Sequence, residues 1–215
     1  MLFLKTFDIY SGSKTNYEDY MPHKYYEGEF INDGYVQAYG DGPAPVYDNY
    51  IGENVYLNII NQATKYIYIT TPYLIVDYTL MTALETAAKR GVDVRIMTPG
   101  IPDKKIVYYL TRDSYNQLIK AGVKIYEYTP GFIHAKSYIA DDELGIIGTM
   151  NLDYRSLDHN FENGVWIYND PVIIDMKQDF LETINNSNEM IFQKPKHRLI
   201  TKFMYILVKI FSPLL

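Results

Sequence analysis

Val92-Asp-Val-Arg-Ile-Met97, then Lys104 to Ala121 closed by Gly122, then Val123-Lys-Ile-Tyr-Glu-Tyr128, is the stretch on which the fold turns. Val92, Val94 and Ile96 alternate with charged residues, the period of a strand. Lys104 to Ala121 is long enough for a helix. Gly122 is the residue type that accepts the left-handed backbone at a helix C-terminus. Val123 to Tyr128 reads as the next strand. A strand, helix and strand in this order form a crossover, which joins parallel neighbours in one sheet.

The same alternation extends upstream. Tyr66-Ile-Tyr-Ile-Thr70 is a β-rich run stopped by Pro72, and a helix follows with Asp77 as its N-cap and Leu80, Leu84 and Ala87-Ala88 facing inward. That helix stops at Gly91 after Lys89 and Arg90, whose charges suit a C-terminal turn. Before it, Asn49 to Thr64 is an amphipathic helix with Ile51, Val55, Ile59 and Ile60 at helical spacing, and Tyr35 to Tyr39 is a strand closed by Gly40-Asp-Gly-Pro43. Downstream, Ala135–Ala140, Leu144–Gly148 and Val165–Tyr168 are short strands, the first two joined by a hairpin around Asp141-Asp142-Glu143. A helix is expected from Val172 to Met190. The expectation is an α/β domain over residues 34–193, a mixed β-sheet flanked by helices. Residues 1–33 read as a linker or truncated lead-in without a clear period, and 194–215 as a basic amphipathic tail.

With 215 residues and 47% hydrophobic content, the chain supports one domain with a real core. It has no cysteine, which excludes disulfides, a thiolate nucleophile and Cys-ligated metal. Its formal charge is −6, unevenly spread. The last five of its 20 bases, Lys194, Lys196, Arg198, Lys202 and Lys209, follow the last acid, Glu189; residues 1–193 therefore carry 15 bases against 26 acids, a charge of −11. So acidic a body argues against nucleic acid as a partner, because duplex binding rests on phosphate neutralisation by Lys and Arg. The start, Met1-Leu-Phe-Leu, is too short for a signal-peptide core, and the longest uncharged apolar run, Phe203 to Val208, falls far short of a membrane span.

The tail has its own pattern. Arg198, Lys202, Tyr205 and Lys209 share one helical face, and Leu199, Phe203, Ile206 and Ile210 line the next. Such a C-terminal amphipathic helix suits the surface of an anionic membrane, or equally a groove on its own domain with a snorkelling basic edge.

The chemistry concentrates in His134-Ala-Lys136-Ser-Tyr-Ile-Ala-Asp141 and Gly148-Thr149-Met-Asn151. On a strand, residues two apart share a face, so His134 and Lys136 project together. An imidazole beside an ammonium suits an anionic substrate: the lysine supplies charge, the imidazole a nucleophile or a proton shuttle. Thr149 and Asn151, also two apart, offer a hydroxyl and an amide to oxygen atoms. These four side chains could converge on one tetrahedral phosphate. A His-x-Lys pair alone carries little information, since a strand histidine often serves as a core or rim residue. The complete string is much harder to obtain by chance. Asp141 reads as an organiser behind the site or simply as a turn residue. No metal constellation is visible and no cofactor is called for.

The string resembles the His-Lys-Asp signature of the phospholipase D superfamily. Its surroundings resemble the C-terminal half of bacterial cardiolipin synthases, in Thr71-Pro-Tyr73, Gly91-Val-Asp-Val-Arg95, Ala121-Gly-Val-Lys-Ile-Tyr126, Asn151-Leu-Asp-Tyr-Arg-Ser156, Asn160-Phe-Glu162 and Ser212-Pro-Leu-Leu215. The resemblance implies a catalytic set of His134, Lys136, Asp141 and Glu162, with Glu162 orienting the histidine, and phosphate binding by Lys136, Thr149 and Asn151. It implies phosphatidyl transfer without metal, in which two phosphatidylglycerols give cardiolipin and glycerol through a phosphohistidine. One imidazole attacks phosphorus and a second moves the protons.

Family members carry two signatures, and His23, His159 and His197 do not repeat the pattern of His134. A second half is therefore expected from a homodimer mate or a separate chain. The expected partners are phosphatidylglycerol or another anionic phospholipid at the bacterial cell membrane, met from its surface. The alternatives are a catalytically inactive split-gene remnant that binds lipid or a sister subunit, and a single-motif phosphodiesterase or nuclease acting as a homodimer.

Overall fold

In the computed structural model, residues 2–21, 33–47 and 49–192 are described; the tail expected at 194–215 lies outside them. The strands are β1 (Tyr35–Asp41), β2 (Tyr66–Thr70), β3 (Leu74–Ile75), β4 (Asp93–Pro99), β5 (Lys124–Tyr128), β6 (Ser137–Ala140), β7 (Leu144–Gly148), β8 (Leu152–Asp153), β9 (Glu162–Tyr168) and β10 (Ser187–Met190). The α-helices are α1 (Leu2–Ser11), α2 (Ile51–Gln62), α3 (Tyr78–Lys89), α4 (Lys105–Ala121) and α5 (Val172–Ile184). Eight strands form one sheet in the order β1-β9-β7-β6-β2-β4-β5-β10. Its β2, β4 and β5 are parallel and every other pairing is antiparallel, so the sheet is mixed. β3 and β8 form a separate parallel pair.

The strand period assigns each face of the sheet. In β2, Ile67 and Ile69 enter the core beneath α2, α3 and α4, while Tyr66 and Tyr68 join the core beneath α5. Tyr68 stacks on Phe180 of α5 at 4.9 Å between ring centroids. Every residue of β2 is buried, as a central strand with helices on both sides requires. Tyr66 and Tyr68 thus share that face with Met97, Ile139 and Ile167, a core role for tyrosine which the sequence suggests only by composition.

Local signals act as their chemistry dictates. Asp77 caps α3 by accepting the Leu80 N–H at 2.8 Å. Gly122 ends α4 at a φ of 104°. Arg90 does something different from the expected cap of its own helix: its guanidinium donates to the carbonyls of Ile60, Asn61 and Ala63 at 3.0–3.4 Å, closing the end of α2.

The last helix is shorter than expected. It ends at Ile184, and Ser187–Met190 returns as edge strand β10, paired antiparallel with β5. The intervening Asn185-Asn186 favours a turn over a helix interior, and Thr129 N–H is held by the Asn186 carbonyl. Conversely, the lead-in holds a helix, α1, at Leu2–Ser11. None of its residues is buried, although Leu2 lies beside Gly40 and Lys5 over the Tyr47 ring. No helix among the described residues is long and apolar enough to cross a membrane.

The pairing register fixes where a site can form. Thr70 opposes Ser137, Ser137 opposes Ile147, Gly148 opposes Gly164 and Asp41 opposes Glu162. The C-terminal ends of β1, β2, β4, β5 and β7 and the starts of β6 and β9 therefore lie along one edge, where open α/β sheets bind ligands.

Candidate active site

His134 and Lys136 lie on that edge, in the extended segment leading into β6. The ladder starts at Ser137, two residues later than expected, and Lys136 joins it only through its carbonyl, which accepts the Gly148 N–H at 3.2 Å. His134 is exposed, whereas Lys136 is only 8% exposed. The Lys136 ammonium folds back to donate to the His134 carbonyl at 2.7 Å. An ammonium has three donors, and the other two make no hydrogen bond among the described residues. Burial pushes the His134 imidazole below its ordinary pKa and the Lys136 charge pushes it further, against the opposing pull of Asp103. His134 is thus a neutral imidazole near pH 7. Burial also lowers the Lys136 pKa, opposed by the Glu162 and Asp153 carboxyls.

Thr149 and Glu162 meet where β7 ends and β9 begins. The approach requires Gly148: a Cβ there would stand 2.6 Å from the Asn163 carbonyl oxygen. Thr149 Oγ1 donates to Glu162 Oε2 in a short hydrogen bond and accepts the Asn163 N–H at 3.0 Å. Asn160 Nδ2 donates to Glu162 Oε1 at 3.2 Å. Glu162 is thus buried and held by Thr149 and Asn160; no hydrogen bond joins it to His134. Asn151 Nδ2 donates to Asp153 at 2.9 Å, while its Oδ1 is buried without a partner. Asp153 also accepts the Ser156 N–H at 2.7 Å, and burial raises its pKa.

Asp141 does not join this cluster. It lies at the far end of β6, in the hairpin, with a φ of 57°. Its carboxylate accepts four hydrogen bonds from the start of β2: Thr64 N–H and Oγ1, Lys65 N–H and Tyr66 N–H, at 2.6–2.9 Å. Of the two readings open for Asp141, the geometry is that of a turn residue, one that pins the hairpin to the loop after α2.

Three residues around His134 and Lys136 escape a reading of the motif alone. The Phe132 ring lies 5.8 Å from the imidazole and 6.3 Å from the Tyr73 ring, centroid to centroid. Tyr73 hydroxyl donates to Asp103 at 2.5 Å. Asp153 is the third, two residues beyond Asn151. After β8 the chain makes a π-helical turn, Arg155–His159, in which the Asn160 N–H reaches the Arg155 carbonyl at 3.0 Å. The Thr71-Pro-Tyr73 and Asn151–Ser156 runs were the signal available; spacing within the His-Lys-Asp string could not supply these residues. Among the described residues no group of His, Asp and Glu is arranged to hold a metal ion.

Known proteins share both sequence and fold with this chain. The family described as cardiolipin synthase, phospholipase D-like domain, matches residues 56–184. An uncharacterized protein of Streptococcus mutans is 45% identical over 210 residues, 96% of this chain and 45% of its own length. Cardiolipin synthase 2 of Bacillus anthracis is 37% identical over 216 residues, 100% of this chain and 41% of that protein. The chain thus spans less than half the length of these relatives. Among solved structures, phosphatidylserine synthase of Haemophilus influenzae superposes with a TM-score of 0.66 at 19% identity, over 84% of this chain and 48% of that one. Nuc, a phospholipase D family member from Salmonella typhimurium, superposes with a TM-score of 0.61 at 23% identity, over 73% of this chain and 98% of that one. At such identities the structures speak for the fold, and the family match, covering more than half of the residues, speaks for descent: the chain belongs to the cardiolipin synthase family of phospholipase D-like domains.

Proposed function

We propose that this chain is one half-site of a phosphatidyltransferase that converts two phosphatidylglycerols into cardiolipin and glycerol. The observation that carries the reading is an exposed imidazole beside a buried ammonium with two donors unengaged, on the edge of the sheet where the strands β2, β4 and β5 end. Lys136 neutralises the single charge of a phosphodiester, and the Asp153 and Glu162 carboxyls around it disfavour a more highly charged anion. Asn151 gives one amide N–H to Asp153 and keeps the second, which in this reading donates to the phosphate.

The second imidazole comes from a homodimer mate or a separately encoded half. Its ring nitrogen attacks phosphorus, the bond from phosphorus to the leaving glycerol oxygen breaks, and that oxygen takes a proton from His134 in its protonated form. Neutral His134 then takes the proton of the acceptor hydroxyl as the acceptor oxygen attacks phosphorus and the phosphorus–nitrogen bond breaks. A lowered pKa favours the second of these steps. Glu162 positions Thr149 at the mouth of the site. Docking to anionic membrane would bring the lipid to this edge.

Mass spectrometry of lipids after incubation with phosphatidylglycerol vesicles tests the reading. Cardiolipin and free glycerol are the expected products, and His134→Ala removes both. Turnover within a few fold of wild type in His134→Ala would overturn the assignment.

A further inference from the structure

Beside the Asn151–Asp153 segment the surface opens into a cleft of about 260 Å3 that holds neither His134 nor Lys136 in its lining. Its floor is apolar: Ile75 and Val107, both buried, pack with Leu110. Its rim carries two cations, Lys104 just before α4 and Arg155 at the start of the π-helical turn. Among the described residues neither side chain makes an ion pair or a hydrogen bond. Other cations of the domain that border acids are paired with them, as in Lys89–Glu85, Arg112–Glu127 and Lys177–Asp142.

The carboxyl in this cleft is a poor counterion. Asp153 is buried, its oxygens accept from Asn151 and Ser156, and its pKa is raised. The nearby Asp103 accepts the Tyr73 hydroxyl and the Lys104 backbone N–H. Two unengaged cations over an apolar floor fit an amphiphilic anion, with phosphate at the rim and carbon below. Tyr73 forms one wall of the cleft, and its ring is two steps, 6.3 and 5.8 Å, from the imidazole of His134.

We infer that this cleft seats the head group of the acceptor lipid: its phosphate lies between Lys104 and Arg155, its glycerol carbons rest on Ile75 and Val107, and its free hydroxyl points past Tyr73 toward the reacting phosphorus. This rests on the transferase reading above. Water needs no such seat. The cleft is then what lets an alcohol outcompete water for the phosphorylated histidine, by raising the local concentration of one oriented hydroxyl.

Two measurements test this, and they fail separately. In the first, the isotopically labelled chain is titrated with sn-glycerol 3-phosphate and, in parallel, with inorganic phosphate. Saturable NMR shifts are expected at the backbone amides of Ile101, Asp103, Lys104 and 151–156 and at Arg155 Nε–H, weaker for inorganic phosphate, and lost in the Lys104→Gln, Arg155→Gln double variant. Shifts confined to 134–136, equal affinity for inorganic phosphate, or shifts unchanged in the double variant would overturn the inference. In the second, the protein in its active assembly is given phosphatidylglycerol vesicles, and cardiolipin is compared with phosphatidic acid, the product of water attack. The double variant should lower that ratio by about tenfold or more, as two charge-assisted contacts to phosphate predict, and Arg155→Lys with Lys104 intact should restore most of it. An unchanged ratio refutes the acceptor seat. If neither product forms in any variant, the transferase reading itself has failed, and the titration still decides whether the cleft takes a glycerophosphate. Both substitutions are at exposed positions, and unchanged melting curves establish that lost shifts are not lost folding.

Discussion

Asp141→Asn separates the two roles open to the acid of the motif. The carboxylate receives two donors on each oxygen: Thr64 N–H and Oγ1 on one, Lys65 and Tyr66 N–H on the other. Asparagine keeps one acceptor oxygen and turns an NH2 toward the remaining two donors. It also tolerates the left-handed backbone at this position, so the change isolates the carboxylate from backbone strain. Hydrogen bonds to charged groups contribute about 1.5–3 kcal/mol each. Two are lost, but this loop is partly open and water replaces much of each, which leaves about 2–3 kcal/mol. At about 2–4 °C per kcal/mol for a chain of this size, melting should fall by about 4–12 °C. The pH dependence follows from the sign of the shift. Hydrogen bonds from Thr64, Tyr66 and Lys65 hold the Asp141 carboxyl below its ordinary pKa, outweighing the opposing effect of burial. Stabilisation is therefore complete above the ordinary value and is lost as pH falls through the lower, folded value. Urea unfolding followed by circular dichroism should show the full difference between wild type and variant at pH 7 and one that shrinks progressively as the pH is lowered below the ordinary carboxylate value. A difference under about 0.5 kcal/mol at pH 7, or one undiminished in acid, refutes the pin. Loss of turnover at unchanged stability would instead put Asp141 in the reaction.

Lys136→Met keeps the buried methylenes and removes the charge, so turnover should drop about 10²–10³-fold, the scale for removing one preorganised donor; lipid turnover within tenfold of wild type would exclude Lys136 from the phosphate. The same variant should raise the His134 pKa toward its ordinary value, because the Lys136 charge contributes to its depression, though burial contributes more; NMR titration of the imidazole reads the shift, and no upward movement would mean the two groups do not interact. Arg112→Ala strands the buried Glu127, which pairs with Arg112 Nε at 2.9 Å and also accepts from the Tyr115 hydroxyl. Because Arg112 is itself partly exposed and tyrosine donors remain, the cost should be about 2 kcal/mol rather than the 3–5 kcal/mol of a fully buried pair, measured by urea denaturation.

What the sequence makes legible, and what it hides, follows the range of the interactions involved. β2, β4 and β5 and their helices are readable because burial on a face writes itself locally: Val94 and Ile96 alternate with Asp93 and Arg95, and Gly122 has the one side chain its backbone allows. β10 is hidden because its pairing with β5 is a tertiary event that local propensity around Glu182–Met190 does not contain. Arg90 sits at the end of one helix yet closes another, α2, a choice made only when the two pack together. The cleft draws Tyr73, Lys104 and Arg155 from three separate loops, each ordinary on its own.

The candidate site shows a subtler case. Spacing of two placed His134 and Lys136 together on the premise of a shared strand face, yet the ladder begins only at Ser137. What couples them is the reach of a lysine side chain back to the carbonyl of the residue two before it. That bond sets the ammonium beside the imidazole's own backbone, and it consumes one donor while leaving the others for a ligand. A shorter cation-bearing side chain at 136 would not span the gap, and an arginine would bring a planar fork where a point charge fits. The pairing in the motif is thus dictated by side-chain length as much as by strand geometry, which is why lysine and not merely positive charge stands at that position.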